Sequence, residues 1–234
     1  MGNKMFGFVA AAILILGIAL NPSPINRKDA AETVIERVLN NTVVIHACVG
    51  EEISIGSGVI YENNGKMFVL TAAHVIGDGK GFYLISQTNP DNELMVETWQ
   101  ANVIAYETNS DWAILQPVGD TWRIRVGTTF MSLSPRVGDG VYACGSPLGE
   151  ENTLSEGIIA NRNRIVPWNS DKHFMVTCNG THGSSGGGIF DVNTGKCIGI
   201  VVRTNRLSNM LYVVPIKTII NDLEQSGQLS LFPT

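Results

Sequence analysis

Charged residues are scarce in this chain, and several signatures of specialised protein classes are missing from it. Asp, Glu, Lys and Arg make up 16% of the 234 residues, whereas hydrophobic residues make up 44%. This balance excludes an intrinsically disordered chain and predicts a folded, globular body. The chain has no run of Lys or Arg, and its formal net charge is −5. A basic surface that would bind nucleic acid is therefore not expected.

Cysteine is rarer still, with four residues, and none of them lies in a CxxC pair or at the spacing of zinc ligands. We therefore expect no metal site, and nothing in the sequence predicts another cofactor. In an exported protein the cysteines could form one or two disulfides, and in any compartment they could be ordinary buried thiols. The sequence does not choose between these states for Cys48, Cys144, Cys178 and Cys197.

One hydrophobic run near the N-terminus is a candidate for a signal peptide or a membrane-spanning segment. Phe6–Leu20 contains fifteen residues without a charge, which is fewer than the roughly 20 that a spanning helix needs. This length is typical of a signal-peptide core with a cleavage site after Ala19, and an uncleaved membrane anchor stays open. A buried helix is disfavoured because Pro22 and Pro24 break the chain after the run. We expect residues 1–27 to be a signal peptide or anchor with a linker, and the protein to be periplasmic, secreted or membrane-anchored.

Short runs rich in β-branched and aromatic residues fill most of the chain after Thr42, and Gly, Asn, Asp or Pro separates them. The 25 glycines fit a fold with many tight turns. Asn63-Asn64-Gly65 is a strong turn signal and predicts a hairpin between ISIGSGVIY and MFVLTAA. Such a series of short strands predicts an all-β fold of the barrel or sandwich type.

Two helices and a connection divide this series of strands. Apolar residues at three- and four-residue steps predict a helix over residues 28–40, and a second helix begins at Pro215 and ends before Gly227. The stretch from Gly119 to Thr129 predicts a connection between two halves of similar β content. The expected β domains are residues 28–120 and residues 121–234.

The most informative segment for chemistry is Gly183-Ser184-Ser185-Gly186-Gly187. A nucleophilic serine needs a tight turn that exposes its hydroxyl and directs backbone N–H groups at one point, where they stabilise the oxyanion of a tetrahedral intermediate. Glycines on both sides of a serine permit such a backbone. Taken alone, the segment is equally typical of a plain glycine-rich turn.

The order of residues along the chain decides between the known arrangements of a catalytic serine. The segment also fits the G-x-S-x-G pattern of α/β-hydrolases, but those enzymes place their histidine after the serine. Every histidine of this chain precedes Ser185, namely His46, His74, His173 and His182. The subtilisin order requires an aspartate before the histidine, and Asp29, in the predicted first helix, is the only aspartate before His74. The order that remains is His, Asp, Ser.

His74 and Asp111 are the candidates for the first two positions of that order. His74 directly follows the β run LTAA, which suits a general base at the end of a strand. Asp111 opens the apolar run WAIL, where a carboxylate can fix the tautomer of a histidine and stabilise the imidazolium. Each residue also has a plain structural interpretation, a lone histidine in one case and a turn residue before a strand in the other.

Three segments together resemble the trypsin-like serine proteases, and most closely their HtrA/Deg branch. They are GSGVIYENNGKMFVLTAAHVI (Gly56–Ile76), SDWAIL (Ser110–Leu115) and the region Val137–Pro215, which contains GTHGSSGGGIFD. Their order and approximate spacing match that family over about residues 40–220. The resemblance implies a chymotrypsin-like fold of two six-stranded antiparallel β-barrels, with the site in the cleft between them.

The resemblance also implies roles for individual residues. His74 is expected to act as general base and acid, Asp111 to orient it, and Ser185 to attack the scissile carbonyl. The backbone N–H groups of Gly183 and Ser185 are expected to form the oxyanion hole. The implied function is that of a serine endopeptidase, a hydrolase that works through an acyl-enzyme, without a cofactor, on a polypeptide bound as an extended strand.

The chain departs from the family at the expected substrate pocket. Counting back from Ser185 without gaps places Asn179 near the base of the pocket, and this neutral residue does not support a preference for Lys or Arg at P1. His182 is expected at the rim, where a protonated histidine would favour an acidic P1 side chain, although we favour a solvated loop histidine. The remaining pocket residues, where a substrate strand would pair, are Val202, Arg203 and Thr204.

Two further departures concern activation and domain content. Ser184 stands where relatives often carry Asp or Asn. It cannot form the ion pair with a new N-terminus that activates trypsin-type zymogens, so we expect no activation of that kind. The HtrA/Deg branch usually adds a PDZ domain, and we expect none after Gly227.

Two alternatives to a serine endopeptidase stay open. The first is a non-catalytic relative that binds peptides in the same cleft, and the presence of all three candidate residues weighs against it. The second is an esterase-like acyl hydrolase on the same fold, since the chemistry of the site is shared. The sequence predicts no oligomeric state.

Overall fold

The computed structural model describes residues 27–89, 92–119, 128–130, 135–166, 169–205, 208 and 210–233. The predicted N-terminal hydrophobic segment, residues 6–20, lies outside these ranges, as does most of the predicted connection after Gly119. Within the described ranges, no helix is both long enough and apolar enough to cross a membrane.

Six antiparallel strands close the first barrel. They are β1 (Thr42–Val49), β2 (Glu52–Asn63), β3 (Lys66–Thr71), β4 (Phe82–Asn89), β5 (Asn92–Glu107) and β6 (Trp112–Pro117), in the spatial order β1-β2-β3-β6-β5-β4. Helix α1 (Arg27–Asn40) precedes them, and the single turn α2 (Ala73–Ile76) follows β3. Asn64 and Gly65 join β2 to β3 with positive φ values of 51° and 73°. Two such residues give a hairpin turn that matches the twist of its strands, as the sequence predicts.

Six more antiparallel strands close the second barrel. They are β7 (Gly140–Gly145), β8 (Thr153–Val166), β9 (Asn169–Val176), β10 (Gly188–Asp191), β11 (Cys197–Thr204) and β12 (Leu211–Pro215), in the spatial order β10-β11-β12-β9-β8-β7. Short 3-10 turns occur at Pro147–Gly149 and Leu229–Leu231, and helix α3 (Ile216–Gln225) follows β12. Pro215 immediately precedes α3, where its missing N–H leaves no helical hydrogen bond unmade.

One buried apolar cluster runs through both barrels and fixes the cleft between them, and a second cluster lies within the second barrel. Ile60 of β2 and Ile200 of β11 belong to the same buried cluster, whose β-branched and aromatic side chains suit the pleated surface of strands. Helix α3 returns to the first barrel, where the indole Nε1 of Trp112 donates a hydrogen bond to Asp222 Oδ2 at 2.8 Å. The expected chymotrypsin-like fold, two six-stranded antiparallel barrels with a C-terminal helix, is therefore confirmed. The domain limits at residues 28–120 and 121–234 stay a prediction.

All four cysteines are free thiols in this fold. Burial raises the pKa of Cys144 and of Cys178 to about 11, and that of Cys197 to about 12. These three thiols are therefore protonated at neutral pH and are weak nucleophiles. Of the two states that the sequence left open, the structure contains the unpaired thiols.

Candidate active site

The first part of the candidate site is the segment that joins β3 to α2. Thr71 ends β3 as a fully buried residue, and Ala72 and Ala73 are buried directly after it. His74 comes next, and 47% of its side chain is exposed. The buried residues anchor the backbone inside the barrel, so that His74 stands at the barrel edge and faces the cleft.

Asp111 lies beside His74, in the turn before β6. Its φ is 59°, a left-handed conformation that the short side chain of aspartate tolerates better than most. The carboxylate accepts two hydrogen bonds from His74, one from the backbone N–H to Oδ1 at 2.9 Å and one from the ring Nδ1–H to Oδ2 at 2.8 Å. Because a carboxylate can only accept here, this pairing places the ring proton on Nδ1 and leaves Nε2 as the basic nitrogen.

The glycine-rich segment forms the loop between β9 and β10. The N–H of Ser184 donates to the carbonyl of Thr181 at 3.0 Å, and the N–H of Gly187 donates to the carbonyl of Ser184 at 3.0 Å. The Ser184 hydroxyl accepts a further hydrogen bond from the N–H of Thr181 at 3.1 Å. Ser185 lies between these two turns and is half-buried. Hydrogen bonds between backbone groups of the neighbouring residues therefore hold Ser185, the candidate nucleophile, in place.

Gly183 has a conformation and surroundings that only glycine fits. Its φ is 92°, and a Cβ at this position would overlap the carbonyl oxygen of Ser146 and lie 2.9 Å from the nitrogen of Leu148. The N–H of Leu148 donates to the carbonyl of His182 at 2.7 Å. Leu148 itself has a φ of 56°, which is unusual for a bulky residue. Through this hydrogen bond, the 3-10 turn Pro147–Gly149 fixes the glycine-rich loop at His182.

A cavity of about 780 Å³ brings the three candidate residues together. His74 and Asp111 reach it from the first barrel and Ser185 reaches it from the second, so the cavity lies in the cleft between the barrels. In the described part of the chain, no hydrogen bond joins the Ser185 hydroxyl to His74. The full lining is His74, Asp111, Gly180, Thr181, His182, Ser185, Val202, Arg203 and Thr204.

Asn179 is the predicted pocket residue that the structure places elsewhere. It lines a separate cavity of only about 20 Å³, together with Ser184 and Leu211. Leu211 packs so closely against Gly180 that a Cβ on the glycine would lie 2.8 Å from it. Gly180 lines the large cavity and Leu211 lines the small one. The other predicted pocket residues line the large cavity, namely His182, Val202, Arg203 and Thr204.

A buried histidine near Asp111 was missed by sequence reasoning. His173 of β9 is 1% exposed, and its Nδ1 donates to the carbonyl of Asp171 at 3.0 Å. Asp171 also accepts a hydrogen bond from the hydroxyl of Ser110 at 2.9 Å, which ties β9 to the turn that carries Asp111. Burial lowers the pKa of His173, although its bond to Asp171 and the charges of Asp171 and Asp111 act in the opposite direction. A lone histidine inside a strand carries no motif by which the sequence could reveal it.

The chemistry available in the cavity is that of an imidazole, a carboxylate and a hydroxyl. An imidazole held by a carboxylate can take a proton from a serine, and nearby backbone N–H groups can stabilise an oxyanion. Among the residues that the structure describes, no three His, Cys, Asp or Glu side chains are grouped as a metal ion would require.

Comparisons with known proteins agree with this arrangement. The family model of the trypsin-like peptidase domain matches residues 56–200, more than half of the chain. The chain is 27% identical over 197 residues to the serine protease HtrA-like of Staphylococcus aureus (strain USA300), and 27% identical over 193 residues to that of Staphylococcus haemolyticus. Each match covers 75% of this chain, but the chain spans only 24% and 29% of the two relatives' length.

Solved structures show the same fold. The crystal structure of Deg5 matches with a TM-score of 0.67 at 22% identity, covering 83% of this chain and 92% of that one. The HtrA-type protease AlgW with a tripeptide matches with a TM-score of 0.70 at 22% identity, covering 85% of this chain and 63% of that one. Because the family model matches more than half of the chain, the chain belongs to the trypsin-like peptidase family.

Proposed function

We propose that this domain is a serine endopeptidase in which Ser185 is the nucleophile, His74 the general base and acid, and Asp111 the residue that orients the histidine. The observation that carries the proposal is the double hydrogen bond from His74 to the Asp111 carboxylate, at the wall of the cavity that Ser185 also lines. This pairing leaves Nε2 of His74 to accept the serine proton.

The N–H groups of Gly183 and Ser185 are the proposed oxyanion hole. In a trans peptide, the carbonyl and the following N–H point in opposite directions. The carbonyl before Gly183 accepts from Leu148, and the carbonyl before Ser185 accepts from Gly187, so each N–H points away from those partners. Within the described residues neither N–H donates a hydrogen bond, which leaves both for a substrate oxygen.

The reaction then follows from these positions. Ser185 Oγ bonds to the scissile carbonyl carbon, its proton passes to His74 Nε2, and the carbonyl electrons move onto the oxygen in the hole. The C–N bond breaks and His74 gives the proton to the leaving amine, which yields the acyl-enzyme. Water then attacks the acyl carbon and loses a proton to His74, which returns it to Ser185 as the acid product leaves.

The end of β11 is the proposed docking edge for the substrate. Its pairing with β10 ends at Ile200, whereas its pairing with β12 continues to Thr204. Among the described strands, Arg203 and Thr204 lie beyond the end of the β10 pairing and pair with Tyr212 and Leu211 of β12, while Val202 lies at the register shift before them. The side chains of residues 202–204 line the cavity. An extended polypeptide can add there as a further strand. The structural neighbour AlgW was solved with a tripeptide, and on that likeness a peptide is the ligand proposed for this domain.

A peptide-binding relative without catalysis is the second candidate. It is favoured by the missing hydrogen bond between the Ser185 hydroxyl and His74. Catalytic hydrogen bonds are often long before substrate binds, so this geometry fits a resting protease as well. A test of nucleophile reactivity separates the two.

Labelling with a fluorophosphonate probe is that test. In the reaction Ser185 Oγ bonds to phosphorus, fluoride leaves, and the serine proton passes to His74. We expect the wild type to be labelled and Ser185→Ala and His74→Ala to remain unlabelled. Ser226→Ala and His46→Ala, which remove a serine and a histidine away from the cavity, should label like the wild type. A folded wild type that takes up no label would favour the peptide-binding candidate.

A substrate comparison then separates a peptidase from an esterase-like hydrolase. The labelled wild type is given a peptide library and, in parallel, a simple p-nitrophenyl ester. A peptidase should cleave library peptides at internal bonds, and Ser185→Ala should lose both activities. Hydrolysis of the ester with no peptide cleavage would show an acyl hydrolase on the protease fold.

Export is also proposed, on the sequence of residues 6–20 alone. We expect a fusion that carries residues 1–27 to be exported from a bacterial cell and a fusion that begins at residue 28 to be retained. Fractionation with protease protection checks this, and the mass of the exported protein distinguishes a cleaved signal peptide from an anchor.

A further inference from the structure

A buried serine of the first barrel holds the nucleophile loop of the second. Ser57 of β2 is 0% exposed. Its N–H donates to the carbonyl of Ser185 at 2.7 Å, and its hydroxyl donates to the carbonyl of Gly183 at 2.6 Å. The same hydroxyl accepts from the N–H of Ser146 at 2.7 Å. Its carbonyl accepts from the hydroxyl of Thr71 at 2.7 Å. All polar groups of Ser57 are thus used.

We propose that the Ser57 hydroxyl is a positioning group for the oxyanion hole, a role that rests on the proposed function. Gly183 lies between two peptide planes. The carbonyl of the first plane is held by the N–H of Leu148, and the carbonyl of the second is held by the Ser57 hydroxyl. Because peptide planes are rigid, the Leu148 bond sets the direction of the Gly183 N–H, which lies in the first plane, and the Ser57 bond keeps the second plane from rotating about Gly183 and pulling the first out of place.

The hydroxyl also ties together the two walls that enclose Gly183. Ser146, which donates to this hydroxyl, directly precedes the 3-10 turn that carries Leu148. Ser57 therefore binds the Gly183 carbonyl directly. Through Ser146 it also anchors the segment whose Leu148 N–H binds the preceding carbonyl, that of His182. Loss of this one hydroxyl would release the Gly183 peptide and leave two buried backbone groups without partners.

Ser57 further connects this loop to the general base. Thr71, whose hydroxyl bonds the Ser57 carbonyl, lies three residues before His74 on the same strand end. A Cβ on Gly186 would overlap both the Ser57 carbonyl and the Thr71 hydroxyl, so the barrels meet here at van der Waals distance. The position of the nucleophile relative to the base is therefore set through Ser57.

The first test is the kinetics of Ser57→Ala. We expect kcat to fall about 10- to 100-fold with little change in KM, because the loop is misplaced for the transition state and not for substrate binding. The matched control is Ser86→Ala, which removes another buried hydroxyl of the first barrel, bonded to Thr98 at 3.2 Å and remote from the cleft. This control should keep wild-type kcat.

The second test separates positioning from a general loss of structure. A peptide that the wild type cleaves is made with a C-terminal aldehyde and with a C-terminal amide. The aldehyde forms a hemiacetal with Ser185 whose oxyanion depends strongly on the hole, whereas the amide offers only an uncharged carbonyl oxygen and depends on the hole far less. In Ser57→Ala the aldehyde should lose about 10-fold or more of its affinity relative to the amide, while Ser86→Ala keeps the wild-type ratio.

Only folded molecules bind either ligand, so the ratio does not depend on how much protein is folded. Ser57→Cys keeps a weaker donor at the same place and should give an intermediate ratio. A wild-type ratio in either folded variant overturns the proposal. If the wild type is neither labelled nor active, the proposed function fails and the role of Ser57 falls with it. If the wild type is active and Ser57→Ala equals it, only the role of Ser57 fails.

Discussion

The two halves of the candidate site are built in different ways. In the first barrel, two side chains meet directly, since the Asp111 carboxylate bonds both the backbone and the ring of His74. In the second barrel, the loop around Ser185 is shaped by backbone hydrogen bonds and by positive φ values at Gly183 and Gly186. The acid–base half is thus complete within one barrel. The nucleophile half depends on contacts from the other barrel, above all those of Ser57.

This difference determines what each half should tolerate. A side-chain pair fails when one of its functional groups is changed, even if the backbone stays in place. A loop that is shaped by its backbone hydrogen bonds loses its function when its geometry changes, even if every functional group is retained. Substitutions that change only a functional group, or only the backbone geometry, therefore test this difference between the His74–Asp111 pair and the loop around Ser185.

The largest effect is expected in the first barrel, for Asp111→Asn. An amide of the same shape keeps the packing but no longer accepts the Nδ1–H of His74 well, which disfavours the tautomer that the serine requires. We expect kcat to fall by about 10⁴-fold with KM almost unchanged. The measurement is steady-state cleavage of a library-derived peptide.

The matched control for this change is Asp139→Asn, at a half-buried aspartate that pairs with Arg136 at 3.4 Å and does not line the cavity. It should keep wild-type activity. If Asp111→Asn were as active as this control, the pairing with His74 would be structural, and the triad would have to be abandoned.

The sequence predicts the three side chains of the candidate site more fully than the backbone contacts that shape the loop around Ser185. His74, Asp111 and Ser185 carry their own chemistry and stand at strand ends or in a glycine-rich loop, so residue type and order pointed to them. The hairpin at Asn64-Gly65 was equally clear, because few sequences adopt two successive positive φ values.

The residues that hold the loop were not predicted. Ser57 lies inside a strand, and its role arises from a register that brings it against Gly183, 126 residues further along the chain. Counting along the chain predicts Asn179 at the base of the large cavity, but in the fold it lines the small cavity beside Leu211. Both cases depend on tertiary contacts that no local pattern encodes.

The second-largest effect is expected for Gly183→Ala, in the loop around Ser185. The φ of 92° and the overlap of a Cβ with the Ser146 carbonyl force the peptide to move, which displaces one donor of the proposed oxyanion hole. We expect kcat to fall about 10²- to 10³-fold. Steady-state kinetics and a urea unfolding curve are measured on the same preparation.

Gly138→Ala is the matched control for this substitution. Gly138 has nearly the same φ, 93°, but a Cβ there would meet nothing within 4 Å. It therefore carries the same backbone strain, on the order of 1 kcal/mol, without the collision. Equal activity losses in the two variants would show that strain alone is responsible and that Gly183 has no special place in the site.

The prediction that no new N-terminus is needed for activation stays open to test, and the structure offers a reason for it. The Ser184 hydroxyl accepts from the N–H of Thr181, so the residue at this position bonds within its own loop. Ser57 and Leu148 supply the remaining hydrogen bonds from outside the loop. The order that an ion pair provides in zymogens is provided here by contacts already present in the folded chain.

The smallest effect concerns His173, where the two halves of the site touch. Burial lowers its pKa in the folded protein below the value of about 6.5 in an unfolded chain. Below that pH the unfolded chain binds more protons, so the stability that neutral His173 contributes is present above about pH 6.5 and is lost as the pH falls. His173→Phe removes this titration, together with the hydrogen bond to the Asp171 carbonyl, which costs about 1 kcal/mol at neutral pH.

Urea unfolding of wild type and His173→Phe between pH 7.5 and pH 5 measures this effect. The stability of the wild type relative to His173→Phe should fall steadily from pH 7.5 to pH 5. Ser86→Ala, which loses a buried hydroxyl but no titrating group, should instead stay below the wild type by a constant amount. Parallel curves for His173→Phe and the wild type would mean that His173 is not held neutral. A difference that instead grew in favour of the wild type towards pH 5 would mean that the pKa of His173 is raised, as for a charged partner of Asp111.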